Sequence, residues 1–144
     1  MIILKEILYG SAMYESTKCF REEVLRRPLG LKLTVWDTKD EDTQIHIAAI
    51  EDDNLILGTV LLKPVSCSHI KLRQMAVSPL MQGKGIGRKL VQFAEMLARS
   101  KEFQVIEMHA RINAQGFYQK LGYHAEGKVF TEVTVPTIRM TKTL

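Results

Sequence analysis

The feature that most constrains the fold of this chain is a glycine-rich turn between a predicted strand and a predicted helix. Residues 70–77 (IKLRQMAV) predict a strand, which Pro79 ends because proline has no amide hydrogen to give to a sheet. Three glycines follow in the pattern G-x-G-x-G from Gly83, and residues 85–98 have the apolar spacing of an amphipathic helix. Successive main-chain amides at a helix N-terminus, together with the helix dipole, form a favourable site for an anion.

The charges around this turn indicate that the anion is a phosphate group. Lys84 and Arg88 add two cations, and no carboxylate occurs between Asp53 and Glu95. The glycine spacing differs from the G-x-G-x-x-G of dinucleotide-binding folds. A nucleoside-triphosphate loop is approached only by residues 122–129 (GYHAEGKV), which lack the hydroxyl for magnesium and follow a predicted helix. We therefore expect a phosphate-bearing ligand at the glycine-rich turn.

The composition limits the partners and the compartment that we expect. A net charge of +4 suits an anionic ligand but is too small to indicate nucleic-acid binding, and no apolar run approaches the length of a membrane span. Cys19 and Cys67 have no C-x-x-C spacing, so we expect a reduced, cytoplasmic setting and no metal site. We also expect one domain over residues 1–144, without a signal peptide.

Apolar periodicity predicts an α+β (mixed α/β) fold in which a central mixed sheet of six to seven strands is flanked by helices. The predicted strands cover residues 2–9, 44–50, 55–65, 70–77, 103–111, 123–133 and 135–142. Asp53 and Asn54 are good turn residues for a hairpin between the second and third strands, and the second to fourth form an antiparallel meander. The fourth and fifth strands enclose a crossover helix and should be parallel neighbours. The last two strands can pair as a hairpin.

Two motifs resemble those of a known superfamily. Met75-Ala76-Val77 followed by Gln82-Gly83-Lys84-Gly85-Ile86-Gly87 (Q-x-x-G-x-G) resembles the acyl-CoA pyrophosphate loop of the GNAT superfamily of N-acetyltransferases. Residues 113–123 (NAQGFYQKLGY) are similar to the N-x-x-A-x-x-F-Y-x-x-x-G-F signature that follows this loop in GNAT enzymes. The resemblance covers roughly residues 72–140. It implies a GNAT-like acyl-CoA N-acyltransferase fold with the parallel strand pair at the cofactor cleft.

The resemblance also implies an activity: transfer of an acetyl group from acetyl-CoA to a primary amine, by direct attack in a ternary complex. The residues that it places at the cofactor are Met75, Ala76, Val77, Gln82, Gly83, Lys84, Gly85, Ile86, Gly87, Arg88, Asn113 and Tyr118. A non-catalytic acyl-CoA sensor or subunit, and a phosphate- or nucleotide-binding protein of another class, are the alternatives. The intact loop together with Tyr118 favours the enzyme. Polyamines, amino acids, aminoglycosides and protein termini all remain open as the amine.

The C-terminal residues resemble a smaller group of single-domain bacterial acyltransferases. Residues 132–140 (EVTVPTIRM) resemble the ending E-x-G-I-P-H-x-x-M of that group. Thr134 stands where glycine is usual, and Thr137 where histidine is usual. If that histidine takes part in acceptor binding or proton transfer, this chain lacks it. The last strands also provide a sheet edge that can pair with a second copy, so we expect a homodimer.

Acetyl transfer from a thioester to an amine needs an acid for the departing thiolate, stabilisation of the carbonyl oxygen and a base for the amine proton. Tyr118 lies where GNAT enzymes carry such an acid, and a main-chain amide near Val77, where the family has a bulged strand, would meet the oxygen. His109 and Glu107 share a face of the fifth predicted strand and are the candidate bases. Glu132, from the ending described above, and ordered water are alternatives for the base.

The N-terminal third is less informative. Ser11 can cap a helix with one packed face at helical spacing. That face comprises Met13, Thr17, Phe20 and Val24. The other face is charged, and we expect it to be solvated, with a border to the acceptor site as the alternative. It carries Glu15, Lys18, Arg21, Glu22, Glu23 and Arg26. Residues 29–43 alternate and then become acidic, so both a strand and an exposed loop remain open. We expect Trp36 in the core, with a lid over a substrate as the alternative.

Overall fold

The computed structural model describes residues 1–52 and 54–144, whose strands form one mixed sheet with helices on both faces. The strands are β1 (Ile3–Ile7), β2 (Ile45–Glu51), β3 (Leu55–Pro64), β4 (His69–Val77), β5 (Val105–Arg111), β6 (His124–Glu132) and β7 (Val135–Thr143). The helices are α1 (Ala12–Arg21), α2 (Ile86–Ser100) and α3 (Gln115–Lys120). The predicted α+β fold is confirmed. None of the helices in the described part of the chain is long and apolar enough to cross a membrane.

The strand order is β1-β2-β3-β4-β5-β7-β6, in which β4 and β5 are parallel neighbours as predicted. The antiparallel meander β2–β4 and the final hairpin β6–β7 are also confirmed. β4 and β5 pair from His69↔Val105 to Leu72↔Met108 and no further, although both strands continue. Beyond this point β4 and β5 no longer pair with each other and leave a wedge between their carboxyl ends. Ligands bind at this end of the strands in parallel sheets.

β4 contains a bulge within this unpaired end. Its register against β3 jumps from Leu61↔Arg73 to Thr59↔Ala76, so that two residues of β4 oppose one of β3. Gln74, the first of these two residues, has a φ of 50°, in the left-handed region that non-glycine residues rarely adopt. A bulge disrupts the sheet ladder locally and leaves main-chain groups unpaired. The expected bulged strand is therefore present, centred on Gln74 and not on Val77.

The main core lies between α2 and the sheet. The residues of α2 that are buried there are Ile86, Leu90, Val91, Ala94 and Ala98. The residues of β5 that face them are Ile106, Met108 and Ala110, as their alternation predicted. Glu107, His109 and Arg111 therefore lie on the opposite face of the sheet. That opposite face carries α1, because Tyr14 of α1 packs with Ile7, Ala48 and Ile50.

The segment after β1 corrects one prediction. Ser11 caps α1 as expected, since its hydroxyl accepts a hydrogen bond from the Tyr14 amide at 3.1 Å. The expectation that the charged face is solvated is wrong for Arg21 and Arg26, whose exposed fractions are 0% and 6%. Each pairs with a carboxylate of residues 37–41. Helical spacing could not reveal these pairs, because the partners come from a distant loop and the helix continues as a π-helical turn, Glu22–Arg26.

Residues 29–43 form turns and no strand. Leu31 and Val35 are exposed, so the alternation of apolar residues here does not correspond to a strand with one buried face. The expectation that Trp36 belongs to the core is wrong, because 78% of this residue is exposed. Its indole instead lies near the Lys39 ammonium, 5.9 Å from the ring centre.

Two hairpins complete the sheet. Asn54 adopts the left-handed conformation at the β2–β3 turn, with a φ of 61°, while the predicted turn residue Asp53 lies outside the described residues. The other hairpin places β6 at an edge of the sheet, where its residues are exposed along the whole strand. This is the edge that a homodimer would use, and the homodimer stays a prediction.

Candidate active site

A cleft of about 680 Å³ opens where β4 and β5 separate. Most of the predicted site residues line it, namely Met75, Val77, Gln82, Gly83, Gly85, Ile86, Gly87, Arg88, His109, Asn113, Tyr118 and Glu132. Three other predicted residues lie outside this lining. Ala76 is buried in the β3–β4 ladder, and Lys84 is exposed on the turn. Glu107 pairs with Arg139 at 3.3 Å on the face of the sheet that carries α1.

The turn before α2 presents main-chain amides to the cleft. Gly83 and Gly85 have φ values of 78° and 84°, and glycine adopts this left-handed conformation without strain. Gly85 directly precedes α2, and none of the described side chains caps this end of the helix. The amides of the first helical turn therefore have no partner within the helix, and Arg88 adds a positive charge beside them. The cradle fits a phosphate group.

Gly87 has a different role from the two glycines before it. A Cβ atom at this position would lie 3.1 Å from Cζ of Phe117 in the helix α3. The absence of a side chain thus allows α2 and α3 to approach each other closely. Tyr118, which follows Phe117 in the chain, lines the same cleft as this N-terminal turn.

Tyr118 is the buried acid candidate in the cleft. Only 5% of the residue is exposed, and its ring packs against Phe117 and Tyr123 with centroid distances of 5.0 and 5.9 Å. Burial raises the pKa of the phenol well above its ordinary value, so the hydroxyl keeps its proton throughout the neutral range. Among the described residues, no group accepts a hydrogen bond from this hydroxyl. It is therefore available to donate to a ligand in the cleft.

His109 lies on the other side of the cleft in a polar cluster. Its Nδ1 atom is 2.9 Å from Oε2 of Glu132 and 3.3 Å from Nζ of Lys71. Nδ1 can donate to the carboxylate or accept from the ammonium, but not both at once. The shorter contact favours the tautomer with the proton on Nδ1, which leaves Nε2 able to accept a proton. The ring is also held edge-on by Phe130, with centroids 5.1 Å apart.

The model of the family described as "Acetyltransferase (GNAT) family" matches residues 10–123. The chain belongs to this family. It is accordingly an acyltransferase, and the predicted superfamily is confirmed.

Individual related proteins and solved structures are also described as acetyltransferases. A proposed acetyltransferase of Bacillus subtilis (strain 168) is 28% identical over 115 residues, which is 80% of this chain and 76% of that protein. A crystal structure of a proposed N-acetyltransferase from Lactobacillus plantarum has a TM-score of 0.89 at 24% identity, covering 99% of this chain and 98% of the other. A GNAT family acetyltransferase from Elizabethkingia anophelis, crystallised with acetyl-CoA bound, has a TM-score of 0.73 at 16% identity and covers 99% and 98%. The two structures show that the fold is shared.

This GNAT protein also has a buried polar network that the sequence did not predict. Arg21 donates from Nη1 and Nη2 to the two carboxylate oxygens of Glu41, both at 2.8 Å, and from Nη1 to Oε1 of Gln74 at 2.8 Å. The Tyr14 hydroxyl donates to Glu41 at 2.7 Å. Because Gln74 lies in the bulge and lines the cleft, the network connects Glu41, in the loop before β2, to the strand that borders the site. The i, i+3, i+7 spacing of Tyr14, Thr17 and Arg21 was the available signal.

Thr134 and Thr137 are the two positions that depart from the bacterial ending. Thr134 has a φ of 63°, which is the conformation that the usual glycine adopts easily. Thr134 therefore adopts this turn conformation at the expense of backbone strain. Thr137 lines the cleft, and its hydroxyl donates to the Val135 carbonyl at 2.9 Å. The position of the usual histidine therefore holds no titratable group, while His109 lies on the neighbouring strand of the same cleft.

Proposed function

We propose that this protein transfers an acetyl group from acetyl-CoA to a primary amine, by direct attack of the amine in a ternary complex. The observation that carries the proposal is the arrangement of one cleft. Its lining includes both an uncapped, glycine-rich helix N-terminus and Tyr118, whose hydroxyl has no acceptor among the described residues. The first feature suits the phosphates of a coenzyme, and the second suits proton donation to a departing thiolate.

The residues of the turn are those that would hold acetyl-CoA. Amides near Gly83 and Gly85 and the guanidinium of Arg88 would bind its phosphates. Asn113, at the end of the wedge, lines the same cleft. The cosubstrate supplies an activated acyl group as a thioester. The acetyl-CoA bound in the related Elizabethkingia structure supports this choice.

The remaining steps fall to groups of this chain. His109 would take the proton from the amine through Nε2, while Glu132 holds the ring by its Nδ1 proton. Main-chain amides at the Gln74 bulge would stabilise the carbonyl oxygen as negative charge develops on it. Tyr118 would protonate the thiolate. Glu107 is left as the partner of Arg139, and in this proposal it is not the base.

The experiment is a screen of amines for acetyl-CoA-dependent release of CoA, together with calorimetry of acetyl-CoA binding. Release with at least one primary amine, and recovery of its N-acetyl product, is the expected result. Tight binding of acetyl-CoA without turnover of any amine would favour a sensor instead. Absence of binding would remove the cofactor assignment.

Both cysteines are free, in keeping with the cytoplasmic location that we also propose.

A further inference from the structure

Two guanidinium groups meet in the part of the cleft that the proposed reaction does not use. Arg26 Nη1 lies 3.5 Å and Arg111 Nη2 3.2 Å from the same atom, the carbonyl oxygen of Leu25. All three residues line the cleft. One neutral carbonyl oxygen shared between two cations neutralises neither of them, so the balance of each charge depends on its other partners.

The two cations differ in how their charge is balanced. Arg26 pairs with Asp37 at 3.1 Å and is 6% exposed. Arg111 is half-buried, and among the described residues no carboxylate lies within ion-pair distance of it. Burial and the charge of Arg26 both lower the pKa of Arg111. A partly desolvated guanidinium beside a second cation is a costly arrangement unless an anion completes it.

The position of Arg111 separates it from the phosphate cradle. It lies on the face of β5 that carries α1, together with His109, whereas α2 and its uncapped end lie on the other face. His109 and Arg111 are two residues apart on one face of a strand, which spaces their Cα atoms by roughly 7 Å. The base candidate and the unbalanced cation are therefore neighbours on the side of the cleft away from the cofactor.

We propose that the acceptor of this enzyme is a small amine that also carries a carboxylate, as amino acids do, and that Arg111 binds the carboxylate while the amine lies at His109. The inference rests on the proposed function for the position of the amine. Arg–carboxylate pairs are frequently bidentate, which adds orientation to affinity. Arg26 adds positive potential at the same carboxylate, although its own charge is balanced by the ion pair with Asp37.

The test begins with binding, which needs no turnover. N-acetylglycine, N-acetyl-β-alanine, 4-acetamidobutyrate, 6-acetamidohexanoate and N-acetylated α-amino acids are titrated into the protein in the presence of CoA, each beside its uncharged carboxamide. At least one acid should bind at least about 10-fold more tightly than its amide, the effect of one charge-assisted contact. If no acid binds more tightly than its amide, the proposal is wrong.

Variants assign the preference to Arg111. Arg111→Gln, which keeps a donor for Leu25, should weaken binding of the acid by about 10- to 100-fold and leave binding of the amide and of CoA unchanged. Arg111→Lys should retain part of the preference. The matched control is Arg27→Gln, which removes the same charge from an exposed residue whose partner is Glu23. An unchanged preference in Arg111→Gln overturns the proposal, and so does weaker CoA binding in this variant, because Arg111 would then serve the cofactor.

Turnover distinguishes this inference from the proposed function. The wild type is assayed with free amino acids and their carboxamides, whose less basic amines are present to a larger extent as the unprotonated, reactive form at neutral pH. A higher kcat/KM for the acids, reduced in Arg111→Gln through KM and not kcat, is expected. Equal use of acids and amides would defeat the carboxylate proposal alone. Acid-selective binding without acetyl transfer to any amine of the wider screen would defeat the proposed function and leave the anion site in place.

Discussion

Arg21 and Glu41 form a bidentate ion pair in which both side chains are completely buried, with two N–O distances of 2.8 Å. The Arg21 guanidinium also reaches the amide oxygen of Gln74, whose backbone adopts the left-handed bulge conformation in β4. The pair therefore joins the end of α1, the loop before β2 and the bulge that borders the cleft. Removal of the charge on one partner is therefore expected to lower the stability of the whole fold.

Glu41→Gln should lower the free energy of unfolding by about 3–5 kcal/mol, because it leaves the Arg21 charge buried without its counterion. Urea unfolding followed by circular dichroism measures this change. The control is Glu15→Gln, which breaks an exposed pair with Lys18 and should cost less than about 1 kcal/mol. Equal unfolding midpoints for Glu41→Gln and the wild type would show that the buried pair does not stabilise the fold.

The same pair predicts a pH dependence. Burial raises the pKa of Glu41, whereas the hydrogen bonds and the charge of Arg21 lower it. The lowering effects are larger in sum, so the pKa lies below the ordinary glutamate value. A carboxyl with a depressed pKa stabilises the native state above its unfolded pKa, and this contribution is lost as the pH falls through the folded pKa. The difference in unfolding free energy between wild type and Glu41→Gln should be constant near neutrality and shrink below about pH 4.3. A difference that stays constant down to pH 3 would contradict this assignment.

The parts of the fold that sequence could predict are those fixed by short segments. The turn at Gly83 and Gly85 is one, because a left-handed backbone and a following helix leave a local signature. The alternation of Ile106, Met108 and Ala110 is another, since it reports directly which face of β5 is buried. The pairings within β2–β4, between β4 and β5 and between β6 and β7 followed from the same local patterns and from the handedness of crossover connections. The places of β1 beside β2 and of β7 beside β5 were not predicted.

The parts that sequence could not predict depend on contacts between distant segments. Arg21 is separated from Glu41 by a loop, and each of them alone resembles an exposed charge. Trp36 resembles a core residue by its chemistry, but no element covers it. The proximity of Arg26 and Arg111 likewise requires the turn that follows α1 to pack on the face of β5 that bears Arg111.

Replacement of Gly85 tests the phosphate cradle. Gly85→Val adds a side chain where nothing lies within 4 Å, in the open cleft, and forces a left-handed φ on a branched residue. Gly10→Val is the matched control, because Gly10 has a similar φ of 79° and no atom within 4 Å but lies outside the cleft lining. Both variants should lose stability by similar amounts, at least about 1–2 kcal/mol. Only Gly85→Val should lose acetyl-CoA affinity, by about 10²-fold or more as charge-assisted hydrogen bonds are lost. Equal affinity in the two variants, measured by calorimetry, would remove the cradle assignment.

The assignment of the base is tested by three variants. His109→Gln should reduce kcat by about 10²- to 10⁴-fold, the range of a general base. Glu132→Gln should reduce it less, and the double variant should be no slower than His109→Gln, because the two residues act as a unit. Glu107→Gln should change kcat little, since its carboxylate is held by Arg139. A larger loss in Glu107→Gln than in His109→Gln would transfer the role to Glu107.

Tyr118 and Tyr123 allow a controlled test of the proposed acid, because their rings are neighbours but only the Tyr123 hydroxyl has a hydrogen-bond acceptor among the described residues. Tyr123 donates to Glu95 at 2.8 Å, whereas no described residue accepts from Tyr118. Tyr123→Phe should therefore lower the free energy of unfolding by about 1.5–3 kcal/mol with little change in kcat. Tyr118→Phe should leave stability and acetyl-CoA affinity nearly unchanged and lower kcat by about 10²-fold or more.

A loss confined to kcat marks an interaction made in the transition state and not in ground-state binding. The loss in Tyr118→Phe should also be smaller for an acetyl thioester of a more acidic thiol, because such a thiolate departs with less help from a proton donor. Steady-state kinetics with acetyl-CoA and one such thioester measure both effects. Turnover of the amine by Tyr118→Phe at the wild-type rate would show that another group, or water, protonates the thiolate.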